Sequence, residues 1–257
     1  MLKFSKANAK IQALSKVPAI AQFLTGKRKV YSLDLLSGYS CPHAKECLSK
    51  VVVIDNKKHI QDGPLTQFRC FSASQEVIYT PVYNMRKHNF EELRTLSYID
   101  MFKLISESMP HNLGICRIHV AGDFFNQNYF DAWLNIAQQN PSKLFYAYTK
   151  SLLFWLRRKA DIPSNFVLTA SYGGKLDSII TEDNLRYAKI VYSEAEAISD
   201  NLAIDHTDEH AANPETSQQS FALMIHGIQP KGSLSSKAIS VLKRNGVKYS
   251  YNRKERV

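Results

Sequence analysis

The sequence predicts an α/β protein, either a partial (β/α) barrel or an open parallel sheet, with an N-terminal cysteine-bearing segment. Three observations predict it. From about residue 90 onward, short apolar runs alternate with stretches of helical periodicity. The runs are nearly continuous in apolar residues, as strands buried on both faces are. Five or more such units follow one another, and strand–helix units in series build a parallel sheet.

Residues 1–30, "MLKFSKANAKIQALSKVPAIAQFLTGKRKV", are basic and weakly apolar. They read as an arm or a short helix, and lysines interrupt them too often for a signal-peptide core. Residues 31–257 read as a single α/β domain, with the cysteine-bearing segment at 31–89 and the βα repeats at 90–250. Within the segment, "KVVVIDNKKHIQDG" predicts a β-hairpin that turns near Asp55-Asn56. "FEELRTLSYIDMFKLISESM" predicts one helix over 90–109. There Phe90, Leu93, Leu96, Ile99, Phe102 and Ile105 recur every three or four residues, and Asn89 is the expected N-cap. Strands are then expected at 116–121, 144–148, 166–170, 189–193 and 221–227. Helices are expected at 126–140, 151–160, 177–188 and 233–246.

Functional groups of parallel α/β folds gather at the carboxyl ends of strands. Here those ends carry Gly122-Asp123, Thr149-Lys150-Ser151, Ser171-Tyr172-Gly173-Gly174, Ser193-Glu194 and His226-Gly227. Gly122 allows a tight turn or a close approach to a ligand. The Asp123 carboxylate could accept hydrogen bonds from an amine or coordinate a metal. Ser151 and Ser193 also suit plain helix caps.

Four cysteines in 257 residues do not make a disulfide scaffold. A reducing cytoplasm is expected, and there clustered cysteines favour metal over disulfide. Cys41, Cys47 and Cys70 are too widely spaced for a zinc ribbon. Three readings stand: unrelated loop cysteines, a closed zinc site completed by His43, or a 4Fe–4S cluster with one iron left open. Cys116 opens a strand and reads as a small buried apolar residue.

"AIDHTDEHAANPE" clusters Asp205, His206, Asp208, Glu209 and His210. On a helix, His206 and His210 would share a face. With Asp123 and His226 they offer a divalent-metal nuclease site, although no H-E-x-x-H occurs; a solvated loop is the alternative. Lys231-Gly232, ahead of a serine-capped helix, is a weak phosphate cradle.

The net charge of +10 is uneven. Residues 1–60 carry 11 Lys/Arg against 3 Asp/Glu, and residues 231–257 carry 8 against 1. The intervening 61–229 carry 14 against 19. Basic ends attract phosphate backbones, so nucleic acid is an expected partner through the termini; a solvated, solubilising surface is the alternative. No apolar run approaches the ~20 residues of a membrane span.

"CPHAKECLSK", "FRCFSAS", "RIHVAGDFFNQNYFDAWLNIA", "FYAYTKSLLFW", "IPSNFVLTASYGG", "VYSEAEA", "IDHTDEHA" and "SFALMIHGIQPKGS" together resemble a phage-encoded family known as gene product eighty-eight. The likeness runs from about residue 30 to 250. More distantly, the pattern resembles radical S-adenosylmethionine (SAM) proteins. Those place three cysteines before or early in a partial barrel, with an aromatic after the last, as Phe71 follows Cys70. The resemblance implies a 4Fe–4S cluster on Cys41, Cys47 and Cys70, and SAM as cofactor. The SAM pocket would be lined by Gly122, Asp123, Thr149, Lys150, Ser171, Ser193 and Glu194. The usual C-x3-C-x2-C spacing is absent here. Beside this stands a non-enzymatic nucleic-acid-binding protein that carries zinc or a cluster.

Overall fold

The computed structural model describes residues 1–7 and 13–246. Its strands are β1 Ser5–Lys6, β2 Lys29–Leu33, β3 Ser49–Ile54, β4 Lys57–Asp62, β5 Leu113–Ile118, β6 Leu144–Thr149, β7 Phe166–Ser171, β8 Tyr187–Val191, β9 Ala203–Ile204 and β10 Phe221–Met224. Eight form one open sheet in the order β1-β2-β5-β6-β7-β8-β10-β9, while β3 and β4 pair apart. Only β1 is antiparallel within that sheet. Leaving aside the β3–β4 hairpin, β2, β5, β6, β7 and β8 lie side by side in chain order, so the sheet winds one way, as a barrel does, without closing. All parallel carboxyl ends therefore fall on one rim.

The helices are α1 Pro18–Ala21, α2 Phe71–Ile78, α3 Thr80–Leu93, α4 Tyr98–Ser108, α5 Gln127–Gln139, α6 Leu152–Leu156, α7 Ser178–Glu182, α8 Glu194–Ser199, α9 Glu209–Ala212 and α10 Leu234–Arg244. Strand alternation divides the core into two faces. Cys116, Ile118, Phe145 and Leu168 pack with Met101, Ile105 and Trp133 of α4 and α5. Ile115, Tyr146, Val167 and Phe221 face the other way, toward Leu14, Ile20 and the Ala211-Ala212 pair of α9. Both faces are covered, which explains the nearly unbroken apolar strands.

The α/β architecture and its open parallel sheet match the sequence expectation, and several element bounds move. The expected helix over 90–109 is two helices. The chain breaks at 94–97, and Ser97 caps α4 by accepting a bond from Asp100 N. Asn89 is no cap: it is buried inside α3, where its amide donates to the carbonyls of Lys3 and Asp34. Strand β2 carries little sequence signal, because "KVYSL" is short and sits at the edge of the basic arm. The hairpin stands as expected. Asp55 and Asn56 both have positive φ, 50° and 60°, as a tight hairpin turn with the right twist requires.

Candidate functional site

The chain leaving β2 crosses the rim of carboxyl strand ends. Leu35 N donates to Ala121 O at 2.9 Å; Lys45 N and Glu46 N both donate to Gly173 O, and Lys175 N donates to His43 O. Toward β10, Arg69 N donates to Gln229 Oε1 at 2.7 Å. The Phe71 ring meets His226, with centroids 4.7 Å apart. Two glycines permit this closeness. Gly122, at φ 95°, has no room for a side chain, since a Cβ would lie 2.6 Å from Ser40 Oγ; at Gly227 it would lie 2.9 Å from Phe71 Cβ. The cysteine-bearing segment is thus a roof over the strand ends, where α/β proteins hold ligands.

Cys41, Cys47 and Cys70 all lie in this roof, partly buried and free. Burial, then the charges of Asp123, Cys70 and Cys47, push the Cys41 thiol well above its ordinary range. Burial and Cys47 push Cys70 up to about 11. Cys41 thus senses both other thiols and the Asp123 carboxylate, and Cys70 senses Cys47. Cys70 is the N-cap residue of α2; its side chain makes no cap bond, and the backbone amides of Ala73 and Ser72 at the helix start act against the upward shift. Amides at a helix start favour thiolate, and a bound metal deprotonates a ligating thiol outright. Cys116 is fully buried on the helix-covered face, as core.

Beneath the roof, four of the predicted pocket residues form one hydrogen-bonded chain. Asp123 Oδ1 accepts from Thr149 Oγ1 at 2.6 Å and from Phe124 N at 2.7 Å, and Oδ2 accepts from Lys150 N at 2.8 Å. A carboxylate offers about four acceptor positions, so one remains. Burial lifts the Asp123 carboxyl to about 6 against these bonds. Lys150 Nζ donates to Ser171 Oγ at 2.6 Å and to the carbonyls of Ser171 and Tyr172. Ser151 Oγ donates to Phe124 O and makes no cap bond. Ser193 does cap α8, accepting from Glu196 N, with Glu194 beside it one strand further along. The structure thus joins Asp123, Thr149, Lys150 and Ser171, while Ser193 serves a helix end.

The acidic and histidine string assembles differently from expectation. Helix α9 starts at Glu209, so His206 and His210 share no helix face. Asp208 is buried on the interior face, paired with Arg117 and accepting from Tyr146 Oη at 3.2 Å. Arg186 ties the same segment to the sheet through the His210 and Ala211 carbonyls. Among the described residues, no three His, Cys, Asp or Glu side chains are grouped to hold a single metal ion. The nuclease set and the closed Cys41–His43–Cys47–Cys70 zinc set lack that geometry. A cuboidal cluster requires less closeness, because each thiolate binds its own iron and the sulfide-bridged core stands between them.

Several residues of the site had no sequence signal. Asp34, at the end of β2, is buried and accepts from Val120 N at 2.8 Å. Glu76 is fully buried, and its Oε1 accepts from Ser37 N, Ser37 Oγ and Arg86. Val120 lies 86 residues from Asp34 and Ser37 lies 39 from Glu76, beyond any local pattern.

The sequence profile of the family described as Gene product 88 matches residues 2–243. The chain belongs to the Gene product 88 family. The Gene 88 protein of Mycobacterium phage L5 is 30% identical over 122 residues, which cover 44% of each chain. The Gene 88 protein of Mycobacterium phage D29 is 29% identical over 122 residues, covering 44% of this chain and 43% of that one. This Gene product 88 chain thus aligns with less than half the length of these relatives, and the kinship places it among phage proteins. No solved structure matches it. No described helix is long and apolar enough to cross a membrane.

Proposed function

We propose that this Gene product 88 protein is an iron–sulfur protein of radical-SAM type, acting on a phosphate-bearing substrate such as a nucleic acid or nucleotide. The observation that carries the reading is the roof itself: it carries Cys41, Cys47 and Cys70 over the carboxyl ends of strands wound in chain order, with Cys41 near enough to sense the Asp123 charge. The three thiols would hold a 4Fe–4S cluster with one iron free. Such a cluster supplies one-electron chemistry, and its free iron a docking point for SAM. The remaining acceptor position of Asp123 suits the ammonium of SAM, and the Thr149–Lys150–Ser171 chain keeps the carboxylate in place. The basic ends of the chain favour phosphate; the part of the C-terminal end beyond residue 246 lies outside the described residues.

The test is calorimetry of SAM on the anaerobically reconstituted protein. Asp123→Asn should weaken binding roughly ten- to hundredfold, the cost of one charge-assisted hydrogen bond, with iron content unchanged. Equal affinity in the variant would remove Asp123 from the site. A reconstituted parent protein that holds iron but ignores SAM would overturn the SAM reading.

A further inference from the structure

Beside the roof lies a surface that the cluster chemistry does not use. Tyr39, two residues before Cys41, is 44% exposed, and Tyr79, which caps α3, is 43% exposed. Tyr83 stands one helical turn beyond Tyr79, and Lys87 one turn beyond that, so the three share a face of α3. Burial first, and then the nearby Tyr83, push the Tyr39 phenol above its ordinary range. Ammonium groups sit over the rings: Lys50 Nζ is 5.3 Å from the Tyr39 centroid and Lys58 Nζ is 5.4 Å from that of Tyr83. The nearby acids Asp62, Glu76 and Glu91 are already paired with Arg69, Arg86 and Arg94. Positive charge therefore dominates a surface studded with aromatic rings, next to the three thiols.

We infer that this face, formed by Tyr39, Tyr79, Tyr83, Lys50, Lys58 and Lys87, binds single-stranded nucleic acid. Lysines meet the backbone phosphates, and the tyrosine rings stack with bases. A duplex hides its base faces within its own stack, so exposed rings select the unpaired strand. The inference deepens the proposed function by naming its substrate class and the surface that receives it. It is measured without turnover, so it stands or falls separately from the cluster.

The test is fluorescence anisotropy on the full protein with labelled single strands of about twelve nucleotides, within the usual site sizes. Replacing both tyrosines, Tyr79→Ala with Tyr83→Ala, should weaken binding at least roughly thirtyfold, about fivefold or more for each ring, with iron content and melting temperature as checks on folding. Tyr83→Phe, which keeps the ring, should restore most of that loss when paired with native Tyr79. Lys50→Gln with Lys87→Gln should lower the slope of log affinity against log salt by about 1.4, since each single-strand phosphate contact contributes about 0.7. Full affinity in the double tyrosine variant would overturn the inference. So would a duplex of equal length binding as tightly as the single strand, or no binding of either at low salt.

Discussion

His119 shows how much a single position can commit. It follows the last residue of β5 with φ 69°, a left-handed conformation that histidine adopts more readily than most residues. Its buried ring meets Tyr129 Oη through Nε2 at 3.0 Å, and Nδ1 has no hydrogen-bond partner. Burial first, then the Arg117 charge, lower its pKa from 6.5 to about 3. Between those values the unfolded chain binds the proton and the folded protein does not. The stability contribution is therefore complete above pH 6.5 and is lost as pH falls toward 3. Urea unfolding at about pH 4.5 should show a loss on the order of 2 kcal/mol relative to neutral pH. His119→Asn tolerates the same φ and should flatten that dependence; an unchanged slope would place the titration elsewhere. Gly122 and Asp123 were legible in the sequence because a glycine and an acid between a strand and a helix stand out locally. His119 was not, since its strain and burial arise only from the packing of Phe124 and Tyr129 around it.

At the scale of elements, the roof depends on helices α2 and α3. Glu76 and Arg86, both buried, join these helices, and Glu76 also holds Ser37 of the roof through two bonds. Glu76→Ala leaves a buried guanidinium without its partner and should cost roughly 3–5 kcal/mol. Proteolysis should then cut first in the cysteine-bearing segment; a variant with unchanged melting and cleavage pattern would contradict this role. The junction between α3 and α4 is a gentler case. Ser97→Ala removes a cap and should cost about 1 kcal/mol, read as a shift in denaturant midpoint. The periodicity from Phe90 to Ile105 ran through this junction because α3 and α4 both send apolar side chains into the same core cluster. The hydrophobic period survives a break that only the cap at Ser97 reveals.

For the whole molecule, strand order was legible in outline because βα units in series have few ways to pack. The filling of the sheet's other face was not. Leu14 and Ile20, from the basic first 30 residues, are fully buried there beside Ala211 and Ala212. The Arg117–Asp208 pair fixes the acidic string inward. Asp208→Ala should therefore destabilise the fold by roughly 3–5 kcal/mol, where a surface acid would cost almost nothing. The same placement separates charge from structure at the N-terminus, so its lysines are better probed by substitution than by deletion. The central claim concerns the three thiols under which these strands end. The most direct measurement is iron and acid-labile sulfide per chain after anaerobic reconstitution, for the parent protein, Cys70→Ala and Cys116→Ala. The account predicts a brown parent holding both iron and sulfide, loss of both in Cys70→Ala, and retention in Cys116→Ala. A colourless, iron-free parent, or a Cys70→Ala variant that keeps its full complement, would contradict it.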